Sequence, residues 1–498
     1  MKMTPAQRQH MMLHDPVERI IPRLAVPTII SMLITTIYNA ADTFFVSQLS
    51  ELYTGRVAET AGAVAEAAPA AAVSVVFPLM AIIQAIAFTI GMGTGTNLSQ
   101  ALGRGEQEEA RRYASVGFFT ALLAGVTVMV LGTLCQGWLI PLLGAKDPKV
   151  IEHAIAYARY IFYAAPFMMG SFALNNMLRF QGLATYGMVG ITTGGILNMI
   201  LDPIFIFEPG TVLFGFLTLP FGFGLGTAGA AIATALSQFV SFCILLMQCN
   251  LRKDTISIHP KHFKPNGKLL AKILYIGFPS LGRQGIASVS NILLNNTVLA
   301  CVAPALQDAA ISSISITSRF VMFINSSVIG FGQGFQPVCG FNFGAGQYSR
   351  VRKAFWFSVK VTTVILLVLG VIAFAFAEPI VTAFRADDAE VIRIGTVALR
   401  LHLTTIPLWG FIVMGNMYTQ SIGYGGRATL LSASRQGIFL IPALLILPRV
   451  LPLAESNIPY AVAAAQPVAD LLSMVMAIVI VMSILKQFKE KADKPLNN

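Results

Sequence analysis

The pattern Gly91-Met92-Gly93, nine residues, Gly103-Arg104-Gly105, five residues, Arg111-Arg112 occurs twice in this chain. Its second copy is Gly332-Gln333-Gly334, nine residues, Gly344-Ala345-Gly346, five residues, Arg352-Lys353. The offset is 241 residues throughout, about half of the chain, and it also relates Arg159 to Arg400, Pro166 to Pro407, Asn175 to Asn416 and Gly182 to Gly423. Pro27 and Asn39 recur 252 residues later as Pro279 and Asn291. Two halves built alike, both intensely apolar, are the sequence mark of a membrane transport protein made from a repeat.

Hydrophobic residues make up 55% of the chain and charged ones 11%, and the mean hydropathy is +0.70. A soluble domain carries about 25% charged residues, so the charge here is too sparse to cover a water-exposed surface. The class is a polytopic membrane protein. The net charge of +11 comes from bases in short segments between apolar spans, where topology explains them better than polyanion binding, and no nucleic-acid partner is expected. Residues 1–23 are polar and basic (Lys2, Arg8, Arg19, Arg23). The apolar stretch that follows exceeds 20 residues, too long for the core of a cleavable signal. The five cysteines lie in or beside apolar segments without paired metal-ligand spacing and read as small apolar fillers. No nucleophile–base pair or metal-ligand set stands out, and no enzyme is implied.

A helix crossing the hydrocarbon core needs roughly 20 apolar residues. That criterion predicts an all-α protein of twelve spans, at 24–48, 69–98, 114–138, 152–178, 187–207 and 226–249, then 271–301, 309–338, 354–377, 391–420, 428–450 and 460–485. Three domains follow: an N-terminal lobe over 1–250, a basic linker over 251–270, and a C-terminal lobe with a basic tail over 271–498. Lys and Arg concentrate in the even-numbered connections (Arg104, Arg111, Arg112, Arg179, Arg252, Lys264, Arg350, Lys353, Arg427) and in both tails. The odd-numbered connections hold acids, among them Glu59, Glu66, Asp147, Glu208, Asp387 and Glu455. Both termini are therefore expected in the cytoplasm, and two six-span halves share one orientation. The shift in offset from 252 to 241 places about 11 extra residues near Glu51 to Glu66, on the outer face.

Few acids sit well inside the predicted spans. Asp42 lies about 18 residues into the first and Asp202 about 16 into the fifth, and at about 1.5 Å per residue the two share one depth. Burying one aspartate at a bilayer centre costs about 2.5–3.5 kcal/mol on insertion scales. Two at one depth in one half therefore point to ion coupling, with a locking hydrogen-bonded pair as the plainer alternative. Asn39 precedes Asp42 by three residues and Asn198 precedes Asp202 by four, so each pair shares a helix face. Carboxylates and amide oxygens make a hard-oxygen site that can hold Na+, and the same carboxylates can instead carry a proton. In the second half Leu294 and Ala443 stand opposite Asp42 and Asp202, so the acidic site belongs to one half only.

Twelve spans in two six-helix repeats, with paired Gly-x-Gly elements around the second and eighth spans, resemble the multidrug and toxic compound extrusion family. The segment Gly330 to Arg352, with Gln336-Pro337 and Asn342-Phe343-Gly344-Ala345-Gly346, carries the resemblance most specifically, and Pro27 and Pro279 fit as well. Within that family the chain is similar to the bacterial branch of MepA-like and DinF-like exporters. The resemblance implies V-shaped lobes and an antiporter, driven by H+ or Na+, that exports lipophilic, often cationic compounds across the bacterial inner membrane. It also implies a cation site at Asp42, Asn198, Asp202 and Thr234, the last within Gly229-Ala230-Ala231-Ile232-Ala233-Thr234, with Asn175 a further match. The only cofactor implied is the coupling ion. The partners are small amphipathic substrates and lipids, and the protein is expected to act as a monomer.

The glycines themselves read as helix packing and turn elements, since no strand precedes them and the lysine of a phosphate-binding loop is absent. In the second half His402, Arg283, Arg319 and Asp470 fall inside predicted spans and are candidates for a substrate cleft, together with Met322 and Phe323. Each also has an ordinary reading: a packed histidine, arginines paired with carbonyls, a structural aspartate, and apolar side chains facing lipid. The rival function is a lipid-linked oligosaccharide or precursor flippase of the same superfamily, which should carry a strongly basic central cavity. A membrane-embedded enzyme or scaffold would need a polar catalytic cluster near one leaflet, and the sequence has none.

Overall fold

Lipid offers the backbone no hydrogen-bond partners, so long apolar runs close their own bonds as helices. The computed structural model describes residues 4–57, 68–213, 217–252, 254–385, 388–451 and 458–492, most of them helical. In the N-terminal half these are α1 (Pro5–His14), α2 (Val17–Val57), α3 (Ala68–Gly103), α4 (Gln107–Leu142), α5 (Pro148–Phe180), α6 (Ala184–Ile206) and α7 (Gly226–Asn250). Then follow α8 (Gly267–Cys301), α9 (Pro304–Gly344), α10 (Tyr348–Ala375), α11 (Ala377–Phe384), α12 (Ala389–Thr405), α13 (Trp409–Ser421), α14 (Gly425–Ala433), α15 (Leu440–Val450) and α16 (Ile458–Ala492). A two-residue antiparallel hairpin, β1 (Val212–Leu213) with β2 (Leu217–Thr218), interrupts the connection from α6 to α7.

Ten helical stretches among the described residues are long and apolar enough to cross a membrane. Two more long helices, α5 with 33 residues and α8 with 35, fall outside that set. Both have the length of a crossing, but charged and polar residues such as Lys149, Glu152, Arg159, Lys268, Lys272 and Arg283 dilute their hydropathy. Glu59, Glu66, Asp387 and Glu455, expected on the outer face, lie outside the described residues.

Several helix ends differ from the sequence expectation. The spans expected to stop at 98 and 338 run further, α3 to Gly103 and α9 to Gly344. The polar stretch Thr94, Thr96, Asn97, Ser99 and Gln100 is itself buried, so its turns are held by packing where hydropathy alone would stop the span. The predicted span 391–420 is broken into α12 and α13 by a 3-10 turn at Ile406–Leu408 that contains Pro407. The span 428–450 is broken by a π-turn at Ser434–Ile438. The turns after α3 and α9 use Gly105 (φ 79°) and Gly346 (φ 72°), and those after α5 and α13 use Gly182 and Gly423 in the same left-handed region. Each pair stands 241 residues apart, so the sequence repeat is also a repeat of turns.

The chain forms two compact units. The first comprises Met1–Ile29, Thr96–Gln107 and Leu274–Asn498, and the second Ile30–Gly95 and Glu108–Ile273. Within the first unit the N-terminal segment is tied to α9 and α10. Asn342 Nδ2 donates to the Met12 carbonyl (3.0 Å), Arg350 Nη2 to that of Asp15 (2.7 Å), and Lys353 pairs with Glu18 (2.9 Å). Further along α2, the Thr28 hydroxyl donates to the Gly330 carbonyl (2.6 Å), and a Cβ on Gly334 would overlap Ala25. The ends of α3 and α9 cross in this same unit. A Cβ on Gly103 would overlap the Phe341 carbonyl oxygen, and one on Gly344 would overlap that of Gln100.

In the second unit the segment from Arg252 to Lys272 is strapped down. Arg112 donates twice to the Lys264 carbonyl (3.2 and 3.1 Å), the Ile256 amide donates to Gln181 Oε1 (2.8 Å), and Lys272 Nζ donates to the Tyr113 hydroxyl (3.2 Å).

Candidate cation site and a second polar cavity

Small residues let three helices of the second unit approach closely. Gly190 and Gly194 of α6 face Leu245 and Ser241 of α7, while Gly195 faces α2, where a Cβ would lie 3.0 Å from Ile34 Cγ2 and Tyr38 Cδ1. One to two turns further along α6, Asn198 and Asp202 enter the interface so formed. They are 2% and 0% exposed, and Thr234 of α7 beside them is 5% exposed. Asn198 Nδ2 donates to Asp202 Oδ1 (2.9 Å) and to Thr234 Oγ1 (3.3 Å). Asp42 of α2 lies within electrostatic reach of Asp202. The Tyr157 hydroxyl of α5 faces both acids, and Tyr38, one turn before Asp42, is directed at Gln238 of α7.

The donor count of this cluster is lopsided. Oδ1 of Asp42, Oδ2 of Asp202 and Oδ1 of Asn198 are buried and receive no hydrogen bond among the described residues. Among the described residues no Lys, Arg or His acts on either acid. Two carboxylates and an amide oxygen without a counter-charge are costly in an apolar setting unless a proton or a cation neutralises them. Chemically the cluster is a hard-oxygen site suited to H+ or Na+. No group of three His, Cys, Asp or Glu residues that could hold a metal ion occurs among the described residues.

Asn198, Asp202 and Thr234 thus lie together, with Asp42 close to Asp202. Asn39 is half-buried on α2. Asn175 stands apart: its amide packs on Gly187, eleven residues before Asn198 on the same helix, about 16 Å along its axis. Tyr157, Tyr38 and Gln238 were not legible as members of the cluster. The one available signal was Tyr38 at four residues before Asp42, the spacing of a shared helix face.

The first unit holds a cavity of about 360 Å³ of its own. His402, Met322, Trp409, Arg435 and Gln466 are among its walls. Asp470 sits behind them, fully buried, with all four acceptor positions engaged. Oδ1 accepts from Arg435 Nε (2.7 Å) and Gln466 Nε2 (3.0 Å), and Oδ2 from Trp409 Nε1 (2.8 Å) and Thr405 Oγ1 (3.0 Å). The Arg435 guanidinium lies 3.6 Å over the Trp409 ring, and the His402 ring meets the same indole edge-on at 5.6 Å. Of the other cleft candidates, Phe323 and Arg319 are exposed and Arg283 is half-buried, and none of the three lines this cavity.

A carboxylate this fully bonded ties α12, α13 and α16 to the π-turn. Asp470→Ala is expected to destabilise the protein by about 3–5 kcal/mol, because it leaves Arg435 as a largely buried, unpaired charge. Asp470→Leu combined with Arg435→Met removes both charges and should recover most of that loss. Thermal melting of the detergent-solubilised variants checks this; equal melting temperatures for Asp470→Ala and the native protein would rule out the anchor.

Comparison with known proteins gives the family. The MatE family model matches residues 60–204 and 286–445, one block in each half of the chain. The multidrug export protein MepA of Staphylococcus saprophyticus is 25% identical over 423 residues, 85% of either chain. MepA of Staphylococcus aureus is 26% identical over 435 residues, 87% of this chain and 88% of that one. Among solved structures, an outward-facing multidrug resistance MATE family transporter superposes with a TM-score of 0.85 at 24% identity, covering 98% of this chain and all of its own. A transporter of the same superfamily from Pyrococcus furiosus gives 0.81 at 25% identity over 97% of this chain. With 305 of its 498 residues (145 and 160) inside the matched blocks, this multi-pass membrane protein belongs to the MatE family.

Proposed function

We propose that this chain is a cation-coupled antiporter that exports lipophilic, often cationic small molecules across the bacterial inner membrane. Twelve spans stand in two six-helix lobes, and both termini lie in the cytoplasm. The observation that carries the reading is the Asp42–Asp202 cluster, with three buried acceptor oxygens that receive no donor, and no base acting on either acid, among the described residues. Such a cluster binds H+ or Na+ in one state of the lobe more tightly than in another. That difference in affinity is what turns inward ion flow into work. Asn198 and Thr234 add oxygens to the site, and Tyr157 supplies a hydroxyl that can pass or hold a proton. The coupling ion is the only cofactor in this scheme, no nucleic acid takes part, and one copy of the chain suffices. The export of drugs by the MepA relatives named above supports the substrate class.

In cells stripped of their own efflux pumps, expression of this chain is expected to lower ethidium accumulation. In proteoliposomes, an imposed pH gradient or an imposed Na+ gradient should drive ethidium transport, and whichever one suffices identifies the ion. Unchanged ethidium levels in cells, with no transport under either gradient, would exclude the cationic-drug reading.

A further inference from the structure

The cavity of the first unit has the opposite polarity to the acidic cluster of the second. Among its described lining residues none is acidic, and Arg435 is the one permanent cation. Asp470 cannot contact a ligand, because it is fully buried and its four acceptor positions are taken by Arg435, Gln466, Trp409 and Thr405. That arrangement uses only Nε of Arg435. Its Nη1 and Nη2 hydrogens make no bond among the described residues, and the side chain lines the cavity. The guanidinium is also held in place, with Trp409 beneath its plane at 3.6 Å and Asp470 at its edge. Its position depends on the π-turn at Ser434–Ile438, an insertion in the helical ladder of the kind often found at functional sites.

The rest of the wall completes an amphipathic receptor. Asn291 and Asn325 present side-chain amides for which no hydrogen bond exists among the described residues, and Nε2 of His402 is buried without a partner. Leu294, Val321, Leu440 and Val462 provide apolar surface in the same cavity. Volume and lining match those of small-molecule sites, which are mostly apolar with a few placed polar groups.

We propose that this cavity is a binding site for a small amphipathic carboxylate, held by a two-pronged contact from Nη1 and Nη2 of Arg435, with its apolar body against the aliphatic wall. A monoanion fits better than a phosphate dianion. Asp470 already offsets one positive charge, and the remaining polar groups of the wall are neutral amides, hydroxyls and an imidazole. The geometry of the Arg fork selects a planar carboxylate over a cation or a neutral amide. This site is independent of the coupling role given to Asp42 and Asp202.

The test uses the purified full-length chain with Trp138→Phe and Trp356→Phe, which leaves Trp409 as its single tryptophan. Dansylglycine, a carboxylate whose fluorophore absorbs tryptophan emission, should quench Trp409 saturably. Dansylamide, which is neutral, and dansylcadaverine, a cation, should bind about 10- to 100-fold more weakly, the effect of losing charge-assisted hydrogen bonds. Arg435→Lys keeps a cation beside Asp470 but loses the fork, and should weaken dansylglycine by about 5- to 20-fold. Arg435→Met with Asp470→Leu removes the ion pair as a unit and should abolish binding while the protein still melts cooperatively. The proposal is overturned if dansylglycine shows no saturable quenching up to about 1 mM, the weak end of specific binding. Dansylcadaverine binding as tightly as dansylglycine overturns it too, as does native affinity in either Arg435 variant.

Discussion

Asparagine in place of Asp202 is expected to reduce the initial rate of ethidium efflux at least about tenfold, within the 5- to 150-fold range of typical coupling energies. The substitution is nearly isosteric. Its Oδ1 still accepts from Asn198 Nδ2, so the α6–α7 contact that holds the site survives. What disappears is the charge that a proton or Na+ neutralises. Without it the two states of the lobe bind the ion equally, and a ligand with equal affinity for both states shifts nothing. Asp42→Asn should give a loss of the same size, since both acids serve one site. The double variant should be no worse than either single one, the non-additivity of groups that act together. Thr234→Ala removes one neutral oxygen and is expected to cost only about 2- to 10-fold. None of the asparagine variants should melt below the native protein, because each removes a buried charge. More than half of native efflux in Asp202→Asn at equal expression would remove that residue from the coupling machinery. So would a double variant whose loss is the product of the two single losses.

The two acids stood out in the sequence because charge is rare inside an apolar span, so each one is conspicuous and their shared depth can be counted in residues. The tyrosines of the same cluster did not. A hydroxyl at the tip of an aromatic ring hardly alters the hydropathy of a helix, and Tyr157 is remote from Asp42 in sequence. Nor was the Arg435–Asp470 pair legible: its members are 35 residues apart, and Arg435 acquires its aim from a π-turn that no proline or glycine pair announces. The spans were legible because lipid requires an apolar surface and a closed backbone together. Their ends were less so. Pro166 and Pro407 occupy matched places in the repeat, yet α5 continues through the first while the second sits in a 3-10 turn. The two prolines share their place in the repeat, yet of the residues around them only Arg159 and Arg400 also match, so the proline alone does not set the break and the packing around it takes part. Gly125 of α4 lies directly on the Pro166 backbone, which leaves α5 no room to depart from its axis.

Valine in place of Gly344 is expected to lower the melting temperature of the protein by on the order of 6–12 °C, from a cost of about 3 kcal/mol at 2–4 °C per kcal/mol. The reason lies in how the repeat closes on itself in the first unit. Gly103 packs on the Phe341 carbonyl and Gly344 on that of Gln100. Gln100 and Phe341 themselves stand 241 residues apart, as do the two glycines. One contact is therefore made twice around a local two-fold, and between the two Gly340 meets Ser99, again its own repeat mate. The obstacle in each case is a backbone oxygen, which no rotamer change can move aside, so α3 and α9 must separate. Separation also strains the bond from Gln100 Nε2 to the Ser421 carbonyl (2.8 Å) and exposes the buried polar layer of Thr96, Asn97 and Ser99. Gly103→Val should give the same loss, because its contact is the mirror of the first. The double variant should lose less than the sum, since a crossing once opened accommodates the second side chain. Gly137→Ala is the control: it lies in α4 with open space around its Cβ position and should be neutral or stabilise by up to about 1 kcal/mol. A Gly344→Val protein that melts within about 1 °C of native would mean that the crossing contributes little to stability. A large loss confined to one of the two glycines would instead show that the two contacts are not equivalent, and that the symmetry of sequence is not carried into the energetics of the fold.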